Sequence, residues 1–103
     1  MARPARQGVR VVVVGVVRLE LALPGNGCLK DKRRVIKSLV DRLRHRFNVS
    51  VAEVGHQDAH QRATVAVACV SGDRTVCGQV LDAVVRVVDA SGVLLQDYEV
   101  EFY

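Results

Sequence analysis

Three polar side chains near the middle of the chain have the types and spacing of metal ligands. His56, Asp58 and His60 alternate along the sequence, so on a strand their side chains would share one face. Imidazole and carboxylate groups suit a divalent cation such as zinc. Turns between strands also collect polar residues, and the favoured interpretation is a polar hairpin, with no metal and no cofactor.

Three cysteines offer a second possible chemistry, because a thiolate is a strong nucleophile. Cys28 directly precedes a predicted helix, where amide groups at the helix end stabilise a thiolate. The sequence places no base beside it, so a catalytic thiol is disfavoured. Cys69 alternates with alanines and is interpreted as a buried apolar residue. Together with Cys77 these cysteines form no CxxC pair, and they cannot supply the four thiolates of an iron–sulfur cluster.

Positive charge is concentrated between Leu29 and Arg46. This segment holds eight Lys or Arg and two Asp, a net charge of +6, whereas the whole chain has +4. Like charges on neighbouring helical turns repel each other, so folding gains nothing from this concentration. A polyanion-binding surface would explain it, and an ordinary solvated helix face is the alternative. The residues expected to contact RNA phosphates are Lys30, Lys32, Arg33, Arg34, Lys37 and Arg44.

The same segment is an amphipathic helix. Ile36, Leu39 and Leu43 recur at steps of three, four and seven, which predicts one buried stripe. A left-handed residue at Asn48 is expected to stop this helix. A second helix is predicted over residues 74–89, with Asp73 at its cap. Alternating apolar residues predict four strands, at residues 9–23, 49–54, 62–70 and 93–103.

The element order β-α-β-β-α-β predicts a ferredoxin-like α+β fold, with a four-stranded antiparallel sheet in the order 4-1-3-2. The first strand then lies beside the last, and Arg18 could pair with Glu99 or Glu101. Both helices cover one face of the sheet. The other face is apolar and open, which favours a second copy of the chain as partner. The residues expected on it are Val12, Val14, Val16, Ala66 and Ala68.

Length and composition favour one domain, at residues 9–103, preceded by a disordered basic leader at residues 1–8. The early valine run is too short to span a membrane and lacks a small-residue cleavage site. An odd number of cysteines without a secretion signal favours a reducing compartment. We therefore expect a cytoplasmic protein that does not bind membranes.

The fold by itself does not select a function. Only 4% of the residues are aromatic, and the first and third strands lack the stacking aromatics of an RRM. The loop Gly25-Asn26-Gly27 contains glycines but no arginine, so acylphosphatase-like chemistry has weak support. The chain is interpreted as a binding protein and not an enzyme.

Four segments after Val9 carry a family resemblance: LELALPGNGCLKDKRRVIKSLVDRLRHRFNVSVAEVGHQD, HQRATVAVACVS, VLDAVVRVV and DYEVEF. They resemble the YlxP-like family of small bacterial proteins, the domain of unknown function numbered 503. The resemblance implies a ferredoxin-like fold and a cytoplasmic location. Members often lie in gene clusters with translation and ribosome-maturation factors, which implies a role with ribosomal RNA or a ribosomal particle.

The resemblance also implies two groups of residues. The first is the basic helix start, from Lys30 to Arg34. Cys28 departs from the family pattern, which commonly has serine there, so a weaker helix cap is expected. Gly55 and Ala59-His60 depart from it in the hairpin. The hairpin residues that match, without a known role, are His56, Gln57, Asp58, Gln61 and Arg62.

We therefore expect a non-enzymatic protein that associates with RNA or the ribosome. The alternatives are a structural or regulatory homodimer and, with less support, a small phosphate-handling enzyme.

Overall fold

The structure, a computed structural model, describes residues 11–103 as one sheet and two helices. All strand pairs are antiparallel, in the order β2-β3-β1-β4. This confirms the predicted ferredoxin-like α+β fold, because 4-1-3-2 is the same order counted from the other edge. The leader at residues 1–8 and the predicted domain start at residue 9 lie outside the described residues. The elements are β1 (Val13–Ala22), α1 (Leu29–Arg46), β2 (Ser50–Gly55), β3 (Arg62–Ser71), α2 (Arg74–Asp89) and β4 (Leu94–Phe102).

The core lies between one face of the sheet and the two helices. Along the central strand β1, Val17, Leu19 and Leu21 are buried, and the residues between them are half-buried or exposed. The same alternation in β3 buries Val65 and Val67. Period-two burial of this kind is typical of a sheet covered on one side, so the second face of the sheet stays open.

The two helices begin in different ways. Cys28 is the cap residue of α1 and makes no capping hydrogen bond through its side chain, as expected of a thiol in place of a hydroxyl. At the start of α2, Asp73 Oδ1 accepts hydrogen bonds from the backbone N–H groups of Thr75 (2.8 Å) and Val76 (3.4 Å). A cap of this type stabilises a helix by about 1 kcal/mol, which helps a helix as rich in valine as α2.

Gly15 allows α2 to pack directly on β1. A Cβ atom at this position would lie 2.5 Å from Cys77 Sγ and 2.9 Å from Leu81 Cδ1. Contacts this short would force the core apart, so β1 and α2 need a residue without a side chain at this point.

One sequence prediction about a turn is wrong. Among residues 11–103, the only non-glycine residue with a positive φ is His56, at 58°, so Asn48 is not a left-handed stop. The segment from His56 to His60 lies in the loop between β2 and β3 and not on a strand, as the favoured interpretation of a polar hairpin expected. The left-handed conformation occurs instead at His56, whose carbonyl oxygen accepts a hydrogen bond from Lys32, a tertiary contact that local spacing does not encode.

Candidate functional site

A buried ion pair joins α1 to the end of β2. The Lys32 side chain has no exposed surface, and its ammonium group lies 2.5 Å from Glu53 Oε2. It also donates a hydrogen bond to the carbonyl oxygen of His56 at 2.9 Å. Charges removed from water are tolerated when they are paired and hydrogen-bonded, as these are. The prediction that Lys32 contacts phosphate is therefore wrong, because its amine lies inside the protein.

The sequence contains a signal for this pair. Lys32 stands four residues before Ile36, which places it on the apolar stripe of the helix. Glu53 follows Val51 by two residues, which places it on the buried face of β2. A cation and an acid on two buried faces indicate a buried pair, because neither charge is stable there alone. A count of the charges along the helix does not reveal the buried pair, because it makes no distinction between exposed and buried cations.

Asn26 ties two loops together beside the ion pair. Its Nδ2 group donates hydrogen bonds to the carbonyl oxygens of Cys28 at 2.9 Å and His60 at 2.7 Å. The N–H of Leu23 donates to the carbonyl oxygen of Gln61 at 2.9 Å. The loop before α1 and the loop after β2 thus form one polar end of the molecule. Composition identifies Asn26 only as a turn residue.

The hairpin residues of the family resemblance lie in or beside this loop, and two of them make hydrogen bonds through their side chains. Gln57 Nε2 donates to the carbonyl oxygen of Glu53 at 3.4 Å, and Gln61 Nε2 donates to that of Asn26 at 3.4 Å. Asp58 and Arg62 are exposed. Over the part of the chain that the structure describes, no group of three or more His, Cys, Asp or Glu side chains could hold a metal ion.

Four exposed cations line one side of α1. Lys30, Arg33, Lys37 and Arg44 recur at steps of three, four and seven, which places them on one side of the helix, and all four are exposed. Arg44 Nη2 donates a hydrogen bond to the carbonyl oxygen of Val51 at 2.7 Å, so this side of α1 borders β2, an edge strand. We call these four residues the basic flank. Arg34 is also exposed and lies farther round the helix.

The basic flank makes few ion pairs. Within the described residues its one ion pair joins Lys37 Nζ to Asp41 Oδ2 at 2.8 Å, inside α1 itself, with both side chains exposed. The hydrogen bond from Lys37 holds the pKa of Asp41 below its ordinary value. Exposed pairs of this kind contribute little to stability. The other cations of the flank therefore have no acid from another described element to neutralise them.

Acidic side chains collect at the opposite edge of the sheet. In β4, Glu99 and Glu101 pair with Arg18 and Val16 of β1, so they lie on the open face. The predicted cross-strand pair is confirmed, since Arg18 Nη2 lies 2.8 Å from Glu99 Oε2. Because β2 and β4 are the two edges of the sheet, the basic and acidic surfaces are well separated.

The open face is apolar over the first part of β1 and the last part of β3. Val14, Val16, Ala66 and Ala68 are half-buried and Val70 is 69% exposed, although no helix of the described chain covers them. Val12 precedes β1 and is exposed, so it lies outside the strand that was expected to contain it.

The cysteines divide into one exposed and two buried thiols. Cys28 is exposed, and Cys69 and Cys77 are buried. Cys77 Sγ donates to the carbonyl oxygen of Cys69 at 3.5 Å. Burial raises the pKa of the Cys69 thiol, and its hydrogen bond with Cys77 raises it further. The interpretation of Cys69 as a core residue is confirmed.

Across residues 11–103 there is no helix whose length and hydropathy would allow it to cross a bilayer.

Comparison with known proteins gives a family and a fold. The family described as "Protein of unknown function (DUF503)" matches residues 14–100. The uncharacterized protein YlxP of Bacillus subtilis (strain 168) is 35% identical over 78 residues, which are 76% of this chain and 85% of that protein.

The de novo designed protein Foldit4 is similar in structure, with a TM-score of 0.53 and 17% identity over 89% of this chain and 96% of its own. This likeness concerns the fold alone. SnoaB, a cofactor-independent oxygenase from Streptomyces nogalater, has a TM-score of 0.47 and 15% identity over 91% of this chain and 92% of its own, a similarity too low to argue for a shared activity.

Proposed function

We propose that this chain, which belongs to the DUF503 family of proteins of unknown function, is a non-enzymatic cytoplasmic protein that binds structured RNA through α1. The observation that supports the proposal is the basic flank, whose cations are exposed and have no acid partner from another described element. A row of exposed cations that no acid of another described element neutralises is the electrostatic footprint of a polyanion-binding surface.

The geometry favours recognition of RNA shape over recognition of base identity. A row of Lys and Arg along one helix neutralises phosphates, and duplex RNA is recognised mainly through its backbone and its shape. The open face is a poor RNA site, because Glu99 and Glu101 lie along it and would repel phosphate. Ribosomal RNA is the first target to test, because the family resemblance implies an association with ribosome maturation.

A salt titration tests this proposal. Fluorescence anisotropy measures the affinity for a structured ribosomal RNA fragment. This affinity should fall steeply as the salt concentration rises, because cations that neutralise phosphates release counterions. The K30Q/R33Q variant removes two contacts and should reduce the slope of log K against log salt by roughly 1.5.

The matched control is R18Q/R74Q, which removes two positive charges from residues outside α1. Its salt slope should stay close to that of the unchanged protein. Equal slopes for K30Q/R33Q and R18Q/R74Q would show that the basic flank is not the RNA contact and would refute the proposal.

A second candidate function is a structural or regulatory homodimer. It is supported by the open apolar face, where exposed and half-buried valines and alanines have no covering element in the described chain. Surfaces of this kind often mark association sites. The two functions are compatible, because the basic flank and the open face lie on different layers of the fold.

A further inference from the structure

The outer surface of the helix layer contains an open groove, with α1 on one side and the second half of α2 and the loop that follows it on the other. Two adjoining recesses form it. One, of about 250 Å³, lies beside the middle of α1 and the loop that follows α2. The other, of about 270 Å³, lies between the end of α1 and the second half of α2. The arginines that line the groove are Arg34, Arg42, Arg46 and Arg86.

The floor of the groove is apolar and its walls are cationic. Val35 and Leu39 line the first recess, and Ala83 and Val87 line the second. Neither recess has a carboxylate among its described lining residues. Asp89 of α2 instead lines a different recess, next to β4. The groove therefore offers apolar surface and positive charge side by side.

We propose that this groove binds an acidic amphipathic helix of a partner protein. An amphipathic helix lays its apolar stripe into a hydrophobic groove, and carboxylates beside that stripe would meet the guanidinium groups in charge-assisted hydrogen bonds. From Arg34 to Arg46 the groove follows α1 for about 18 Å, the length of three to four helical turns.

RNA fits the groove less well than a peptide helix does. Its phosphate backbone has no apolar stripe to bury on Val35, Leu39 and Val87, and single-stranded bases prefer aromatic planes. Phe47 is the one aromatic residue in the groove, and the Arg46 guanidinium lies 5.8 Å from the centre of its ring. Arg34 lies one turn from Lys30 and borders both surfaces. Arg42, Arg46 and Arg86 lie away from the basic flank, so variants of these three test this inference separately from the proposed RNA binding.

A designed peptide provides the probe. It has about 18 residues, with leucines at i, i+4, i+7 and i+11 and glutamates beside them, and it carries one tryptophan. Since the protein contains no tryptophan, the fluorescence of the peptide reports binding without background. A peptide of the same composition, with the leucines distributed around the helix, should bind at least about tenfold more weakly if the apolar floor is used.

Two protein variants separate the groove from the basic flank. R42Q/R46Q/R86Q removes three groove arginines and should lower the affinity for the amphipathic peptide by about tenfold or more. K30Q/R33Q/K37Q should change that affinity by less than about threefold. The A83E variant places a carboxylate on the groove floor and should abolish binding at concentrations that saturate the unchanged protein. Glutamate is a good helix former, so α2 should persist in A83E, which circular dichroism verifies.

Three outcomes would overturn the proposal. The first is equal binding of the two peptides, which would indicate charge attraction alone. The second is binding that A83E leaves unchanged. The third is displacement of the peptide by a structured RNA whose own affinity falls in R42Q/R46Q/R86Q but not in K30Q/R33Q/K37Q, which would make the groove an RNA site. The last outcome would also contradict the basic flank as the RNA contact, whereas the first two would leave it untouched.

Discussion

The position of Lys32 on the helix decides whether its charge is exposed to solvent or paired inside the protein. Its neighbours Lys30 and Arg33 are exposed, but Lys32 is fully buried against Glu53 and the carbonyl oxygen of His56. It fixes the start of α1 to the loop after β2. We therefore assign Lys32 a structural role, in contrast to the two exposed cations beside it.

Replacing Lys32 by methionine should destabilise the protein strongly. The K32M variant leaves the Glu53 carboxylate without its buried partner. Breaking a fully buried pair typically costs about 3–5 kcal/mol, and a loss near the lower end is expected because 20% of the Glu53 side chain is exposed. Urea unfolding measures the loss.

The K32M/E53L double variant removes both charges and should recover much of the lost stability, because a buried pair and an apolar substitute are often equally stable. A K30M variant, at an exposed position, should change the unfolding free energy by less than about 0.5 kcal/mol. Equal effects of K32M and K30M would contradict the buried role.

The three thiols should differ in reactivity. In the folded protein a thiol reagent such as Ellman's reagent should label Cys28 rapidly and should label Cys69 and Cys77 only after unfolding, because these two are buried. The C28S variant should then show no rapid phase. A rapid phase that persists in C28S would place one of the core thiols at the surface.

The raised pKa of Cys69 has a further consequence at alkaline pH. A thiol of ordinary pKa 9.0 ionises in the unfolded chain before it does in the folded protein. The contribution of this thiol to stability is therefore present below pH 9.0 and is lost as pH rises towards its folded value. The urea midpoint should fall in this range less steeply for C69A than for the unchanged protein.

At the scale of elements, α1 presents three chemically different surfaces. One stripe joins the core, the basic flank borders β2, and the arginines of the groove face α2. The helix can serve these roles together because its side chains project at about 100° intervals around the axis. Substitutions on one surface should therefore leave the other two intact, which is the basis of the paired variants described above.

The contact between α2 and β1 depends on Gly15. The G15A variant would bring a methyl group to 2.5 Å from Cys77 Sγ and 2.9 Å from Leu81 Cδ1, and overpacking of this kind costs about 1–3 kcal/mol. G27A is the matched control, because a Cβ at Gly27 would meet nothing within 4 Å. Urea unfolding gives the free energy of unfolding of each variant, and that of G15A should be the lower of the two. A G15A protein as stable as G27A would show that the helix can move away from the sheet without cost.

At the scale of the whole molecule, the basic flank and the acids of β4 lie at opposite edges of the sheet. The basic flank borders one edge of the sheet, the acids of β4 follow the other edge, and the apolar valines and alanines lie on the open face between them. This separation gives a polyanion and a second copy of the chain different surfaces, because the acids beside the open face repel phosphate.

Sedimentation tests whether the open face joins two copies. The unchanged protein should show a dimer that dissociates on dilution. The A68R variant places a long cation in the middle of the face and should shift the protein towards monomer, because a buried unpaired charge is costly. Q79R adds the same charge to an exposed position of α2 and should sediment as the unchanged protein does. A monomer at every concentration would exclude the homodimer.

The sequence by itself determined the order and type of the elements, the strand order, both helix bounds and the pairing of Arg18 with an acid of the last strand, Glu99 or Glu101. The elements follow from the periodicity of apolar residues along the chain. The strand order and the cross-strand pair follow from the fold that the order of the elements predicts. The buried state of Lys32, the positive φ of His56, the tie between loops at Asn26 and the arginine-lined groove were decided only by the tertiary structure. Each of them depends on which residues meet across elements. A charge count along one helix cannot distinguish a cation that reaches solvent from one that points at an acid on the next strand.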